Sequence, residues 1–395
     1  MIKLLKRIGL FSVFLTILAI IIVYARGYRF NPQKKTVTAT GIFSITSWPK
    51  AAKIYINGKL ESVTDTNITL PYGKYNISVK KEGYTSWNKT IILKGELVET
   101  IEAVLFPINA SLTPLTNIGI TKAIPIEQSD RVLLFSQNND TLRDGIYIFE
   151  ANKKPFSFLP PLKLILAKKM LPEDIDFNTV TVNFSPDLKQ GLFDFQSVAY
   201  LLSLEDDNAQ LFDVTISKEA LSSAWQDEKT KEIQKILETF PDNLGYTATS
   251  SFSLITFSPD KLKFIYQAEQ NLTLPTLIKT TLIGTNQTLE NRSLVKGNVY
   301  IYDKKEDKNY KTTIPNSEFK ILNSISWFFD SRHIVLKNDK EIVVSEYDNT
   351  NRQIVYSGPF EADFFSVTSE GKLIILVNLN PKNNKLPDLY AVGIR

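Results

Sequence analysis

The chain holds a single histidine and no cysteine among 395 residues, and this narrows its chemistry before any fold is considered. Without cysteine there is no disulfide, no thiolate nucleophile, no lipid-bearing N-terminal cysteine and no Cys-based zinc site. A histidine-dependent triad would have to run through His333, which stands in a strand-like run beside Arg332, where a structural role is expected. With one imidazole and no thiol, no metal site of the transition-metal kind is expected. No Walker-type loop or GxGxxG fingerprint occurs, so no cofactor is expected. What remains is carboxylate chemistry. Glu173-Asp174-x-Asp176 and Glu205-Asp206-Asp207-Asn208 have the residue types for calcium or for acid–base work on a sugar. Both fall in loop-like stretches, where a solvated charge cluster is the ordinary outcome, and no catalytic residue is assigned.

Aromatic platforms are the other chemistry open to the chain. Trp48, beside Pro49, and Trp87, after Gly83-Tyr84, read as core-edge residues; the alternative is that they stack on glycan rings or a protein partner. Asn-x-Ser/Thr triplets at Asn67, Asn76, Asn88 and Asn271 arise by chance in an Asn-rich chain.

Both tryptophans sit in residues 44–107, which read as one small antiparallel β-domain. Residues 52–56 alternate and run into Asn57-Gly58, a pair that supplies φ > 0 at both centres of a two-residue hairpin turn. A second turn at Leu70-Pro71-Tyr72-Gly73 feeds an alternating run over 74–80; Gly83-Tyr84 punctuates, and strands over 85–92 and 97–105 follow, with Pro107 as the stop. These residues resemble a PEGA domain, a small β-sandwich module of bacterial surface proteins, across residues 41–107. The resemblance rests on Ile45-Thr46-Ser47-Trp48-Pro49, Ile54-Tyr55-Ile56-Asn57-Gly58-Lys59, Pro71-Tyr72-Gly73-Lys74-Tyr75 and Lys81-Glu82-Gly83-Tyr84. The sequence departs from that pattern at Pro49-Lys50-Ala51-Ala52 and at Ser62-Val63-Thr64-Asp65. The resemblance implies a fold and no ligand.

Charge places the two ends of the chain in different surroundings. Residues 1–35 hold seven basic groups and no acidic one; setting them aside leaves 39 basic against 42 acidic groups, a balance of −3. A mildly acidic body lacks the basic surface that would displace counterions, so no nucleic acid partner is expected. Within the basic end, residues 8–25 are uncharged and rich in Ile, Leu, Phe and Val, long enough to cross a bilayer core. Lys3, Lys6 and Arg7 precede them; Arg26, Arg29 and the interfacial Tyr24 and Tyr28 follow. The reading is a single-pass transmembrane anchor with residues 1–7 as a cytoplasmic tail, 26–40 as a stalk and the bulk of the chain extracytoplasmic. The rival is a cleaved signal peptide ending at Val23-Tyr24-Ala25.

Beyond Pro107 and Pro114 a turn recurs between β-like runs. It stands as Phe184-Ser185-Pro186-Asp187, Phe257-Ser258-Pro259-Asp260, Trp327-Phe328-Phe329-Asp330-Ser331 and Val367-Thr368-Ser369-Glu370-Gly371, with a weaker copy at Glu127-Gln128-Ser129-Asp130. Proline presets φ and aspartate bonds the backbone two residues on. Strand, turn, strand, turn, strand is the form of propeller blades, and the repeat resembles TolB-like and WD-repeat-like propellers over residues 112–395. Spacings of 57, 73, 70 and 40 residues between successive copies exceed one blade in places. The excess is a helical insertion over 217–240, with Ile216, Ala220, Trp225, Ile233, Ile236, Leu237 and Phe240 on one face and Pro241 as its stop, and a loop insertion over 270–297. Residues 108–116 form a linker, of which 111–116 could supply the missing fourth strand of the last blade.

The whole resembles a family of anchored bacterial proteins in which an anchor ending Tyr-Ala-Arg-Gly-Tyr-Arg-Phe, here residues 24–30, precedes a PEGA domain and a propeller; Tyr347-Asp348 with Asn351-Arg352, and residues 356–360, carry the same likeness. The expected fold class is therefore all-β: an N-terminal transmembrane helix, a PEGA-like β-sandwich, and a β-propeller over 117–395 of about five blades, with room for six. The expected function is a non-enzymatic envelope protein that binds a protein or polysaccharide partner. The alternatives are a carboxylate-based glycan-acting enzyme with its site at the propeller channel, and a scaffold or sensor subunit of an envelope complex.

Overall fold

The computed structural model describes residues 2–25, 27–31, 36–127, 129–138, 143–151, 161–239, 251–278, 283–313, 325–361, 364–382 and 385–394. They divide into two compact units, one of Met1–Ile108 with Thr280–Thr288 and one of Asn109–Lys279 with Leu289–Arg395.

The first unit opens on helix α1, Ile2–Ala25. Its segment Lys6–Ala25 is strongly apolar, with a mean hydropathy of 2.7, and none of its residues is buried in protein. Twenty residues at 1.5 Å rise span about 30 Å, the thickness of a bilayer's hydrocarbon core. The helix takes in most of residues 1–7, expected as a tail. Residues 28–31 and 36–40, expected as stalk, are also structured. Tyr28–Asn31 pairs antiparallel with the start of the long strand Thr36–Trp48, so the β-unit begins almost at the end of the helix. Arg26, Pro32, Lys34 and Lys35 lie outside the described residues.

The rest of this unit is a two-sheet sandwich. Thr36–Trp48 is flanked by Thr66–Pro71 and Val98–Val104; the other sheet runs Lys59–Val63, Lys53–Ile56, Gly73–Lys80, Trp87–Leu93. The wholly antiparallel expectation needs correction at one pair. Ile42↔Val98 through Trp48↔Val104 run parallel, because the last strand crosses from the second sheet to the first and arrives in the direction of Thr36–Trp48. Alternate residues Phe43, Ile45, Ile101 and Ala103 meet Ile54, Ile56, Ile77, Val79, Ile91 and Leu93 from the facing sheet. Gly41 is required where the sheets close: a Cβ there would lie 2.4 Å from the Lys94 carbonyl oxygen. Asn57 and Gly58 adopt φ of 51° and 83°, the two left-handed residues of a tight hairpin.

The second unit holds five four-stranded antiparallel sheets among the described residues. Sheet I is Lys122–Pro125, Arg131–Ser136, Gly145–Glu150, Leu162–Ala167. Sheet II is Thr181–Phe184, Gln190–Asp194, Ala199–Ser203, Phe212–Asp213. Sheet III is Phe252–Phe257, Lys263–Ala268, Val299–Asp303, Lys308–Lys311. Sheet IV is Ile325–Trp327, His333–Asn338, Glu341–Glu346, Gln353–Ser357. Sheet V is Phe365–Val367, Leu373–Val377, Asp388–Val392, completed by Leu112–Pro114 from the start of the unit. Sheets I to IV are meanders, as are the first three strands of sheet V. The inner strands carry near-continuous apolar runs, such as residues 132–135 of sheet I and Leu373–Val377 of sheet V, because both faces are covered by neighbouring sheets.

Neighbour order follows from the shared cores. Sheets I and II pack through Phe135, Phe177, Phe193 and Phe195; sheets I and V through Leu134, Phe149, Ile374 and Leu376; sheets III and IV through Ile265, Ile301, Trp327 and Leu336. The first strands of IV and V touch. Between II and III stands helix α2, Lys218–Leu237. Trp225 and Leu221 pack on Leu192, Ala199 and Leu201 of sheet II, while Leu237, Ile233 and Ile236 join the cluster of Phe257, Phe264 and Tyr266 in sheet III. This is a propeller-like arrangement with a helix inserted between two blades. Phe240 and Pro241, expected to end that helix, lie outside the described residues. The 270–297 insertion, expected as loop, carries a short pair, Leu272–Thr273 with Ser293–Leu294.

Candidate functional site

The recurring turns account for the blade-turn residues singled out in the sequence, and their work is structural. Asp187 accepts from Ser185 Oγ at 2.6 Å and from the Lys189 N–H at 3.1 Å. Asp260 accepts from Ser258 Oγ at 2.5 Å and from the Leu262 N–H at 3.0 Å. The residue after the aspartate takes the left-handed conformation, φ 58° at Leu188 and 57° at Lys261, and the side-chain bonds hold it there. Pro186 and Pro259 precede those aspartates. In sheet IV, Asp330 accepts from the Arg332 and His333 N–H groups at 2.9 and 3.0 Å and faces His333 Nδ1 at 2.6 Å. Burial would push the Asp330 carboxyl up, but His333 and the two backbone N–H groups hold it below the usual carboxylate range. The only histidine is thus 3% exposed and tied to a turn.

Of the acidic clusters, Glu173, Asp174, Glu205 and Asp206 are exposed, and the remaining members are bonded locally. Asp176 accepts from the backbone N–H and Nδ2 of Asn178, both at 2.9 Å. Asp207 meets Lys163 at 3.3 Å, and Asn208 is buried with Nδ2 on the Ile165 and Ser203 carbonyls. Among the described residues no group of three or more His, Asp and Glu is placed to hold a metal ion. Trp87 is 4% exposed and belongs to the sandwich core, so its face is closed to a sugar. Trp48 is half-buried, at the end of its strand beside Pro49.

A denser network lies in sheet III. Asp307 accepts from Tyr302 Oη at 2.7 Å and from the Leu277 and Ile278 N–H groups at 2.7 and 2.8 Å, and it pairs with Arg292 at 3.3 Å. Arg292 also binds Glu290 at 3.0 Å and the Pro275 carbonyl at 2.6 Å. These bonds fasten residues 275–278 and 290–292 to the sheet, and burial together with Asp307 pushes the Tyr302 hydroxyl well above the ordinary phenol range.

What the fold does bring together is a pair of adjoining cavities, each about 380 Å³. One is lined along the first strands of sheets I, III, IV and V, by Ile124, Pro125, Thr256, Ser326, Phe365 and Ser366 among others. The second continues it past the turns, between Asp130, Pro259, Trp327, Phe329 and Ser369, with Ile236 of α2 beside them. Both share Ser129, Thr256, Ser326 and Val367. Four blades and the inserted helix therefore converge on one channel. Lys122, on its lining, donates to the Val180 carbonyl at 2.6 Å; burial holds its ammonium below the usual range. None of Glu173, Asp174, Asp176, Glu205, Asp206 or Asp207 lines it.

Sequence reasoning missed these lining residues, because the turn motif draws the eye to its own Ser, Pro and Asp. The usable signal was register: in sheets III, IV and V the residue two places before the turn's first serine or its equivalent lies on the channel.

Residues 40–107 match the model of the PEGA domain, which covers the sandwich of the first unit. No curated protein matches the chain. Among solved structures, the chain is similar to a protein assigned as TolB from Agrobacterium tumefaciens, at 12% identity over 62% of this chain and 65% of that one, with a TM-score of 0.20. It is also similar to the β-propeller domain of the Trilobed protease from Pyrococcus furiosus, at 9% identity over 90% and 96% of the two chains, TM-score 0.20. A third is Kluyveromyces lactis Hsv2p, at 9% identity over 82% and 93%, TM-score 0.19. At such scores the likenesses carry no weight of their own; the propeller description stands on the hydrogen-bonded sheets and their shared cores.

Proposed function

We propose that this is a non-enzymatic, membrane-anchored protein of the cell envelope, whose PEGA domain serves as spacer or adhesive module and whose propeller-like unit receives a protein or polysaccharide partner. One observation carries the reading: an apolar helix with none of its residues buried in protein precedes a PEGA sandwich, and the described residues beyond it are built as blades around a channel. A helix of that composition is unstable in water without cover, and a bilayer covers it. The bulk of the chain then lies outside the cytoplasm, where an absence of cysteine removes any dependence on oxidation.

The reading of a glycan-acting enzyme needs two carboxylates facing each other across a bound sugar. Among the described residues the lining carboxylates are Glu127 and Asp130, and Asp130 is already bonded to Ser369 by both its oxygens. In the acidic loops Asp176 and Asp207 are bonded locally, and Glu173, Asp174, Glu205 and Asp206 are exposed away from this lining. A binding role fits this lining better.

The test is co-sedimentation of the detergent-solubilised full chain with purified cell-wall polymer, alongside capture of membrane proteins from the same extract. Saturable pelleting with the polymer supports a polysaccharide partner, and a stoichiometric membrane protein supports a scaffold. Hydrolysis of the polymer by the purified chain would overturn the non-enzymatic reading.

A further inference from the structure

The first strands of sheets III, IV and V put a hydroxyl at one register position. Thr256, Ser326 and Ser366 each stand two residues ahead of the residue whose carbonyl closes the turn, Ser258, Phe328 and Thr368. All three are half-buried and line the same 380 Å³ cavity. Thr256 Oγ1 and Ser326 Oγ reach only their neighbours' carbonyls, at 3.4 and 3.3 Å, contacts too long to hold a hydroxyl firmly. In sheets I and II the same position is differently filled. Ile124 is apolar, and Asn183 gives its Nδ2 to Ser222 Oγ of α2 at 2.8 Å.

The lining is therefore two-sided. Sheets III to V supply an arc of neutral hydroxyls that can donate or accept; sheet I supplies Ile124, Pro125 and Ile126, and Phe364 and Phe365 extend the apolar part. The charged groups on the wall are spoken for or turned to solvent. Lys122 is on backbone carbonyls, Asp130 is on Ser369, and Glu127 and Lys261 are exposed. Among the described residues an ionic ligand would find no free buried counter-charge there. A pyranose ring has the matching chemistry, with an apolar C–H face and an edge of hydroxyls, and the volume is that of a small-molecule site.

We propose that this cavity is a saccharide site, taking one or two uncharged sugar units of a glycan against the Thr256–Ser326–Ser366 arc. The proposal rests on the partner-binding reading above and assigns it a place and a ligand class.

The test uses the full chain in a sugar-free zwitterionic detergent, titrated with N,N′-diacetylchitobiose and with maltose, and followed by calorimetry and by tryptophan fluorescence, since Trp327 borders the adjoining cavity. A capped neutral tripeptide is titrated in parallel. The comparison variant is T256V/S326A/S366A, which keeps the shape and removes the hydroxyls. The expected result is saturable binding of at least one saccharide, weakened about tenfold or more in the variant, with its thermal midpoint unchanged. Should the variant unfold early, the single variant S326A replaces it, with a smaller loss of the same sign. No saturation by either sugar up to about 10 mM, the weak end of specific binding, overturns the proposal; so does equal binding by the variant, or binding of the tripeptide in place of the sugars. Polymer pelleting that survives in the variant leaves the envelope-binding function standing and removes this site. Sugar binding without pelleting does the reverse.

Discussion

The backbone N–H and the hydroxyl of Ser369 both donate to the carboxylate of Asp130, each at 2.6 Å, across 239 residues of sequence. The bond joins the turn of sheet V to the turn of sheet I. Comparable links run between other neighbours: Arg131 donates to the Leu188 carbonyl at 2.6 Å, and the Asp260 N–H donates to Ser331 Oγ at 3.0 Å. Gly371 lies under Phe328 and Phe329, where a Cβ would come within 2.6 Å of the Phe329 ring. The turns thus form a belt, and α2 bridges sheets II and III.

Asp130→Ala should cost about 0.5–1.5 kcal/mol, because the Ser369 donors it frees are exposed and can turn to water. Ser369→Ala, which removes one donor, should cost less. Urea unfolding of both variants checks the order; equal midpoints for wild type and Asp130→Ala would mean the junction does not depend on this bond.

The closing strand makes a second prediction. Asp388 Oδ1 accepts from Thr116 Oγ1 at 2.9 Å and from the Ile118 and Gly119 N–H groups at 2.9 and 3.2 Å, in a site 9% exposed. Asp388→Ala leaves those buried donors unmet and should cost roughly 2–4 kcal/mol, more than Asp130→Ala. Hydrogen exchange should show the loss first at Leu112–Pro114, the strand that Asp388 helps hold to Asp388–Val392.

Helix α2 should be separable from the sheets it joins. Trp225, 9% exposed, packs on Leu192 and Ala199, and Trp225→Ala should cost about 3–5 kcal/mol if the site cannot collapse. Limited proteolysis is then expected to cut first within residues 218–237. Cleavage elsewhere, with the helix intact, would show that its hold on sheet III through Leu237 suffices.

Asp330 gives a pH dependence with a definite sign. Its carboxyl is held below the usual range in the folded chain, so its stabilising contribution is complete above the unfolded aspartate value, about 3.9, and is lost as the pH falls through the lower folded value. The difference in unfolding free energy between wild type and Asp330→Asn should be largest near neutrality and shrink below about pH 4. A difference that stays constant from about pH 7 to about pH 3 would contradict the account.

The anchor is checked at the N-terminus of the mature protein. Retention of α1 predicts a protein that resists alkaline extraction from membranes and keeps Lys6 and Arg7 in its N-terminal sequence. A mature end at Arg26, and release into the soluble fraction, would mark Lys6–Ala25 as a cleaved signal.

How much of this was legible beforehand depends on the range of the interaction. The hairpin at Asn57-Gly58, the Asp187 and Asp260 turns, the apolar run before Arg26 and the amphipathic helix containing Trp225 are written in residues within a few positions of one another. Backbone sterics, turn chemistry and periodicity act over that distance, so the sequence by itself determined them and, with them, an all-β chain behind a membrane-length helix. The parallel pairing of Ile42 with Val98 was not legible, since nothing local to either strand states the direction of its partner. Nor was the channel. Thr256, Ser326 and Ser366 are ordinary hydroxyls in three separate strands, and Ile236 reads as one more apolar residue on a helix. Only the packing of one sheet on the next brings them to a common cavity, because that placement is set by side-chain contacts between residues far apart in the chain, such as Phe135 with Phe193 and Leu134 with Ile374. The same packing buried Trp87 and left Trp48 at the sandwich edge, a distinction that two tryptophans in similar strands could not announce.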